Sequence, residues 1–263
     1  DMSYDVIQPT KANEIFTTKR VNAKNGKPSF ADLVGKPTDA WAKRPEHLRG
    51  PGIYALFCRS LLVYVGLYTG SAKQTFSGTV IERWKKHLTY FAMRNPELSF
   101  SQSNLHRVLT ELQGPAIEEI TEKVGRRTFT REERAEVKIP LNDGSSCTFY
   151  KACYAVQNWD LFRPSNEAQM LAELSFAYAR FQPCNAELLG AEARTNVGKK
   201  WAHDHWLRPR EEALINRFTP ICNDVDKPDP LPEVTEEQFM LALIAEMNRP
   251  LPPLVPMLGS RAA

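Results

Sequence analysis

Two short apolar runs, 53–57 and 61–67, are separated by the three residues 58–60. Both runs are rich in Ile, Val, Leu and Tyr, which are common in β-strands, so the segment predicts an antiparallel hairpin. A three-residue loop would place Tyr54 opposite Tyr64, with both side chains on one face of the sheet. A two-residue loop would place them on opposite faces, because a shift of one residue reverses the direction of every side chain in a strand.

Composition narrows the class of protein. Of the 263 residues, 42% are hydrophobic and 25% are charged, as in ordinary globular proteins, and this length accommodates one large domain or two small ones. No stretch of about 18 apolar residues occurs and the N-terminus carries no apolar leader, which predicts neither a membrane span nor a secretory signal. The five cysteines contain no CxxC pair, which argues against a four-cysteine zinc site and a disulfide framework and favours the reducing cytoplasm.

The charge is unevenly distributed along the chain. Residues 224–263 contain seven acidic and three basic residues, whereas residues 1–223 contain 31 basic against 24 acidic, a net charge of +7. A basic body is suited to a polyanionic partner, although ordinary surface lysine and arginine residues account for the charge equally well. Residues 1–51 are polar, basic and interrupted by prolines, which predicts an N-terminal arm with one short helix near 29–33.

Helical and strand patterns alternate along the rest of the chain. Thr79 is a suitable N-cap for a helix whose apolar stripe includes Val80, Trp84 and Leu88. The other expected elements are helices over about 103–124, 166–181 and 235–248, a strand over about 147–156, and a helix from Pro209 to Phe218.

Side chains suited to phosphate chemistry follow the hairpin. Arg83 and His87 are four residues apart and share one face of their predicted helix. A guanidinium matches two phosphate oxygens at once, although a solvated basic helix face would also account for these residues. Glu211 lies at the edge of a buried helix face, where a carboxylate is costly unless it is paired or binds a cation. The alternative is that it interacts only with the dipole at the N-terminus of its helix. A lone carboxylate completed by water and phosphate oxygens is typical of a Mg²⁺ site.

These residues form ordered blocks, Gly52-Ile53-Tyr54, Tyr64-Val65-Gly66, Arg83-x3-His87 and Glu211-x11-Asn223. The set resembles the GIY-YIG nuclease superfamily. The resemblance implies an α+β fold with a small antiparallel β-sheet flanked by helices. It also implies a large, mostly helical insertion, because 123 residues separate His87 from Glu211. The implied organisation is an N-terminal basic arm (1–51), the first half of the nuclease core (52–95), an inserted DNA-recognition region (96–207), a catalytic-glutamate helix (208–223) and an acidic, proline-rich tail (224–263).

The resemblance also implies a role for each matched residue. Tyr54 and Tyr64 flank the attacking water, and Arg83 stabilises the charge of the transition state. His87 acts as an acid–base group or hydrogen-bonds a tyrosine. Glu211 binds Mg²⁺, for which Mn²⁺ can substitute, and Asn223 supports the site.

A second glutamate remains an alternative metal ligand. Glu173 precedes Asn185 by 12 residues, the same spacing that separates Glu211 from Asn223. The residues after Glu211 match the family pattern better, whereas Glu173 would make Asn185 the supporting amide.

The function implied by the resemblance is sequence-specific cleavage of double-stranded DNA, like that of a type II restriction endonuclease. A homodimer or higher oligomer and a DNA methyltransferase acting on the same site are the further expected partners. The basic residues expected at the DNA are Lys73, Lys85, Lys86, Arg126, Arg127, Arg131 and Arg134.

Two alternative functions remain open, a DNA-binding protein with a vestigial nuclease centre and a toxin nuclease without sequence preference. His203 and His205 are a further candidate metal pair if they lie on a strand, or else are hydrogen-bonded surface residues.

Overall fold

The computed structural model describes residues 4–20, 33–43, 46–70, 78–91, 148–162, 166–181 and 202–250, with positions 107, 111 and 200. Its strands are β1 (Tyr4–Lys11), β2 (Phe16–Arg20), β3 (Leu33–Pro37), β4 (Gly52–Cys58), β5 (Leu61–Tyr68) and β6 (Leu174–Phe181). Its α-helices are α1 (Ala12–Ile15), α2 (Asp39–Ala42), α3 (Ile81–Phe91), α4 (Phe149–Gln157), α5 (Trp159–Phe162), α6 (Glu167–Glu173), α7 (Arg208–Phe218) and α8 (Glu236–Asn248). A 3-10 turn lies at Glu46–Leu48 and a π-helical turn at Ala202–Leu207.

Four antiparallel strands form the central sheet in the order β1-β6-β4-β5. This arrangement, with helices packed around it, confirms the expected α+β class and its small antiparallel sheet. Strands β4 and β6 are buried along their whole length, whereas β5 lies at an edge. Strands β2 and β3 form a separate two-stranded ribbon.

Each face of the central sheet has its own apolar core. The first face, which carries Tyr54 and Leu56, packs against α3, α4, α5 and α6. The second face, which carries Ile53 and Ala55, packs against the π-helical turn, α7 and α8. The alternation of side chains along β4 therefore separates two helical layers.

The hairpin between β4 and β5 differs in detail from the expected three-residue loop. Its turn has two residues, Arg59 and Ser60, both at positive φ (52° and 63°), the geometry of the tightest β-hairpins. A bulge then shifts the register, because Leu56 pairs with Tyr64 while the next residue of β4 pairs with Leu62. The extra residue, Val63, returns Tyr64 to the face of the sheet that carries Tyr54, which a two-residue loop alone would not do.

Two expected elements have a different structure. Where a strand is expected over about 147–156, the structure has helix α4, whose buried residues Phe149, Ala152 and Ala155 recur at helical spacing. The segment expected to be one long helix is instead helix α6 followed by strand β6. A strand buried on both faces lacks the polar alternation that would distinguish it from a buried helix.

The central sheet takes its strands from three of the predicted segments. The N-terminal arm begins with β1, which pairs with β6 at one edge of the sheet, and β6 itself lies inside the segment expected to be an insertion. The acidic tail contains α8 at its expected position, with Phe239, Leu243 and Met247 fully buried against the second face. The predicted helix near 29–33 lies outside the described residues except for Leu33, which begins β3.

Within the described ranges, every helix is too short or too polar to cross a membrane. The cysteines that these ranges include, Cys58, Cys153 and Cys222, are free thiols.

Candidate active site

Two tyrosines and a histidine meet on the first face of the sheet. The rings of Tyr54 and Tyr64 lie 6.1 Å apart, and the His87 ring lies 4.6 Å from that of Tyr64. The Tyr54 hydroxyl is 2.9 Å from His87 Nε2 and is also hydrogen-bonded to the Tyr64 hydroxyl. The expectation that both tyrosines share a face is confirmed, although the bulge at Val63 produces it, and not a three-residue loop.

The burial of these rings determines their proton affinities. Desolvation, followed by the charge of Lys151, holds the pKa of His87 well below 6.5, so the imidazole is neutral. Burial raises the pKa of Tyr64 to about 12 and also raises that of Tyr54 well above its usual range. Both phenols therefore keep their protons at neutral pH.

Helix α3 brings His87 and Arg83 to the site. Val80, Trp84 and Leu88 are buried against the first face, as the apolar stripe predicts, and His87 is only 5% exposed beside them. Arg83 lies one turn earlier and is exposed, and its charge lowers the pKa of both tyrosine hydroxyls. The helix thus buries an imidazole and presents a guanidinium to solvent at the same place.

Glu211 reaches the site from the second face by way of the open edge of β5. The Leu67 backbone N–H, at that edge, donates to the Glu211 carboxylate. Desolvation nevertheless raises the pKa of Glu211 to about 7, because burial outweighs this hydrogen bond and the charge of Arg208. Burial is the main reason that the pKa values of Tyr54 and Tyr64 are raised, and the Glu211 charge adds to both rises.

Asn223 holds the same edge strand through its side chain. Its Oδ1 accepts from the Val65 N–H at 2.9 Å, and its Nδ2 donates to the Val65 carbonyl at 2.8 Å. The neighbouring Cys222 N–H donates to the Val63 carbonyl at 2.9 Å. Asn223 therefore satisfies both backbone groups of Val65, the residue of β5 that follows Tyr64. It supports the site in this way without presenting its amide to a ligand.

Glu173, the alternative metal ligand, lies elsewhere. It ends α6 next to the hairpin turn, where its carbonyl accepts from the Arg59 N–H at 2.9 Å. Its charge acts on Cys58, and the pKa shifts of the tyrosine pair include no contribution from Glu173. The geometry therefore favours Glu211 as the carboxylate of this site, and Asn185 lies outside the described residues.

Lys151 joins the site although the sequence did not single it out. Its ammonium lies 4.2 Å from the centroid of the Tyr64 ring, and its side chain is 3% exposed. It was missed because 147–156 was interpreted as a strand, in which this lysine has no relation to His87. The signal that could have revealed it is the N-cap Thr148, whose hydroxyl accepts from the Lys151 N–H.

Comparison of the chain with family models, curated proteins and solved structures finds no match. The chemistry of this site therefore has to be inferred from its own residues.

Only some of the other predicted residues lie within the described ranges. Lys86 is exposed and Lys85 half-buried on α3, whereas Lys73, Arg126, Arg127, Arg131 and Arg134 lie outside the described residues. His203 and His205 lie in the π-helical turn and not on a strand, so they point in nearly opposite directions. His203 Nδ1 is 2.7 Å from Asp204 Oδ1.

Proposed function

We propose that this protein is a divalent-metal-dependent endonuclease with a GIY-YIG-like core that cleaves double-stranded DNA at specific sequences, as a type II restriction enzyme does. The observation that carries the proposal is the convergence of Tyr54, Tyr64, His87, Arg83 and Glu211. These residues come from four separate elements, β4, β5, α3 and α7. Hydrolysis of a phosphodiester needs a proton acceptor for water, a cation for the phosphate and a ligand for a metal ion, and this group supplies all three.

The tyrosines and His87 are arranged to move a proton. The Tyr54 hydroxyl lies 2.9 Å from His87 Nε2 and beside the Tyr64 hydroxyl, so it can exchange a proton with either neighbour. In one arrangement the Tyr64 hydroxyl donates a hydrogen bond to the Tyr54 oxygen, and the Tyr54 hydroxyl donates to the neutral imidazole. Proton transfer along this chain towards His87 can be reversed by transfer in the opposite direction. A water activated at the Tyr64 hydroxyl can thereby transfer its proton towards His87.

Arg83 supplies the positive charge for the phosphate. Its guanidinium is exposed beside the buried rings, so it can contact a phosphodiester that approaches from solvent. It would stabilise the negative charge that develops on the phosphate oxygens in the transition state.

The donor set at Glu211 fits a Mg²⁺ ion. Over the part of the chain that the structure describes, no group of three or more His, Cys, Asp or Glu side chains lies together. Among these residues Glu211 would hold the ion, with water and phosphate oxygens as further ligands, in the manner that Mg²⁺ favours. When bound, Mg²⁺ supplies Lewis-acid stabilisation of the phosphate and leaving oxygens. The half-buried carboxylate, with its pKa of about 7, would gain a compensating charge.

Incubation of the protein with plasmid DNA and Mg²⁺ tests the proposal. We expect discrete fragments, which disappear when EDTA is added or when Glu211→Gln replaces the wild type. A smear would instead identify a nuclease without sequence preference. The absence of cleavage of several plasmids and phage DNAs, by a folded protein that still binds DNA, would identify a DNA-binding protein with a vestigial centre. A palindromic recognition site would further support a homodimer.

A further inference from the structure

Lys151 is the buried cation of this site to which the proposed mechanism gives no role. It lies on α4, which packs against α3, so two neighbouring helices bring both Lys151 and His87 to the Tyr64 ring. Both side chains are at most 5% exposed. A buried ammonium is costly to maintain, and a helix surface at this position would accept an apolar residue at lower cost.

We propose that Lys151 is a positioning residue of the cleavage centre, which fixes the Tyr64 ring against His87 and keeps the imidazole neutral so that it can accept the Tyr54 proton. This inference rests on the proposed nuclease function. The ammonium over the ring face provides a cation–π contact, which favours one orientation of Tyr64. The same charge, in a region of low dielectric, disfavours a second cation on His87.

Other groups around His87 do not account equally well for its neutral imidazole. Arg83 and Lys86 lie on its own helix and are exposed, so solvent screens their charges. From the strands, His87 faces the hydroxyl of Tyr54 and the ring of Tyr64, both uncharged at neutral pH. Lys151 has the largest effect of any charged group on the pKa of His87. It is therefore the residue whose removal should change that group most.

The test compares Lys151→Met with Lys151→Arg, which keeps the charge, and with Lys43→Met, which removes an exposed lysine remote from the site. The His87 titration is followed by NMR of the imidazole protons, assigned with His87→Gln. We expect the midpoint of His87 to rise in Lys151→Met and to stay low in Lys151→Arg and Lys43→Met. If Lys151→Met does not fold, Lys151→Gln replaces it.

The second measurement is the pH dependence of DNA cleavage. Removal of the charge should move the acid limb of the rate profile to higher pH, because His87 then gains its proton at a higher pH. Lys151→Arg, which keeps the charge, should leave the acid limb of the rate profile at its wild-type pH. A purely structural role of Lys151 would not predict this difference between the two variants. An unchanged His87 midpoint in folded Lys151→Met would overturn the inference. If the wild type cleaves no DNA, the nuclease proposal fails, and the NMR titration still decides the role of Lys151.

Discussion

Gly66 lies directly opposite Tyr54 in the β4–β5 pair, and the Tyr54 ring occupies the space that a side chain at position 66 would fill. A Cβ at this position would lie 2.6 Å from the Tyr54 hydroxyl oxygen and 2.8 Å from a ring carbon of Tyr64. The glycine is therefore part of the site, because it allows both tyrosines to pack over the same strand.

Gly66→Ala is expected to displace the tyrosine rings, because they are the atoms that the new methyl group meets. We predict a folded protein, less stable by about 1–3 kcal/mol, with cleavage reduced by about 10²-fold. Urea unfolding and a cleavage assay measure the two effects. Gly52→Ala provides a contrast, since its methyl group would meet backbone atoms of Ala179 and Arg180 and should prevent folding. Full activity of Gly66→Ala would contradict this account.

Glu211→Gln should abolish cleavage at every Mg²⁺ or Mn²⁺ concentration, because the isosteric amide removes the charge that binds the cation. Glu173→Gln should cleave normally, since Glu173 lies at the hairpin turn, away from the tyrosine pair. Thermal melting of both variants shows whether each is folded. A folded but inactive Glu173→Gln beside a fully active Glu211→Gln would reverse the assignment.

The stability of the metal-free protein should depend on pH through Glu211. Its pKa is about 7 in the folded protein against 4.5 unfolded, so the folded state keeps a proton that the unfolded chain releases between these values. Stability from this group is therefore lost as pH rises from about 4.5 to 7. His87 also makes stability depend on pH, because its lowered pKa costs stability as pH falls below about 6.5. The difference in unfolding free energy between the wild type and Glu211→Gln removes this effect, since His87 is present in both proteins. A difference that does not change with pH would show that Glu211 ionises normally.

Mg²⁺ should stabilise the protein more at pH 8 than at pH 5.5, since it binds the ionised carboxylate and must displace a proton at the lower pH. The measurement is the shift in Tm with saturating Mg²⁺ at each pH. Glu211→Gln serves as the control and should show no shift. An equal shift in the wild type and the variant would place the ion elsewhere.

Arg83→Ala should reduce cleavage by about 10² to 10³-fold while leaving specific DNA binding intact, because the guanidinium acts on the charge of the transition state. Its exposure predicts little change in Tm. Gel-shift and cleavage assays on one target separate binding from catalysis. Complete loss of specific affinity would instead make Arg83 a recognition residue.

Asn223→Asp should destabilise the edge of β5. One carboxylate oxygen can still accept from the Val65 N–H, but the other would face the Val65 carbonyl, to which Asn223 now donates. We expect a loss of about 1–3 kcal/mol in unfolding free energy. Asn223→Ser, which loses both hydrogen bonds but places no charge against the carbonyl, should be affected less. Equal stability of the aspartate variant and the wild type would contradict the hydrogen-bonding role.

Helices α3, α7 and α8 were predictable from local pattern, because each has apolar residues at helical spacing and polar residues on its other side. The hairpin was predictable because two runs rich in strand-favouring residues flank a short turn. Strand β6 and helix α4 were not predictable in this way. Strand β6 is buried on both faces, and α4 contains aromatic and β-branched residues that also favour strands.

The order and spacing of the chain's residues were enough to identify the two tyrosines, Arg83, His87 and Glu211 as one candidate group. Tertiary structure alone decided that the bulge at Val63 returns Tyr64 to the face of Tyr54, and that Glu211 reaches the edge of β5. It alone placed Lys151 against the Tyr64 ring. The physical reason is that residue types and helical or strand periodicity are local properties, whereas register, edge contacts and the burial of a charge depend on segments that are distant in sequence.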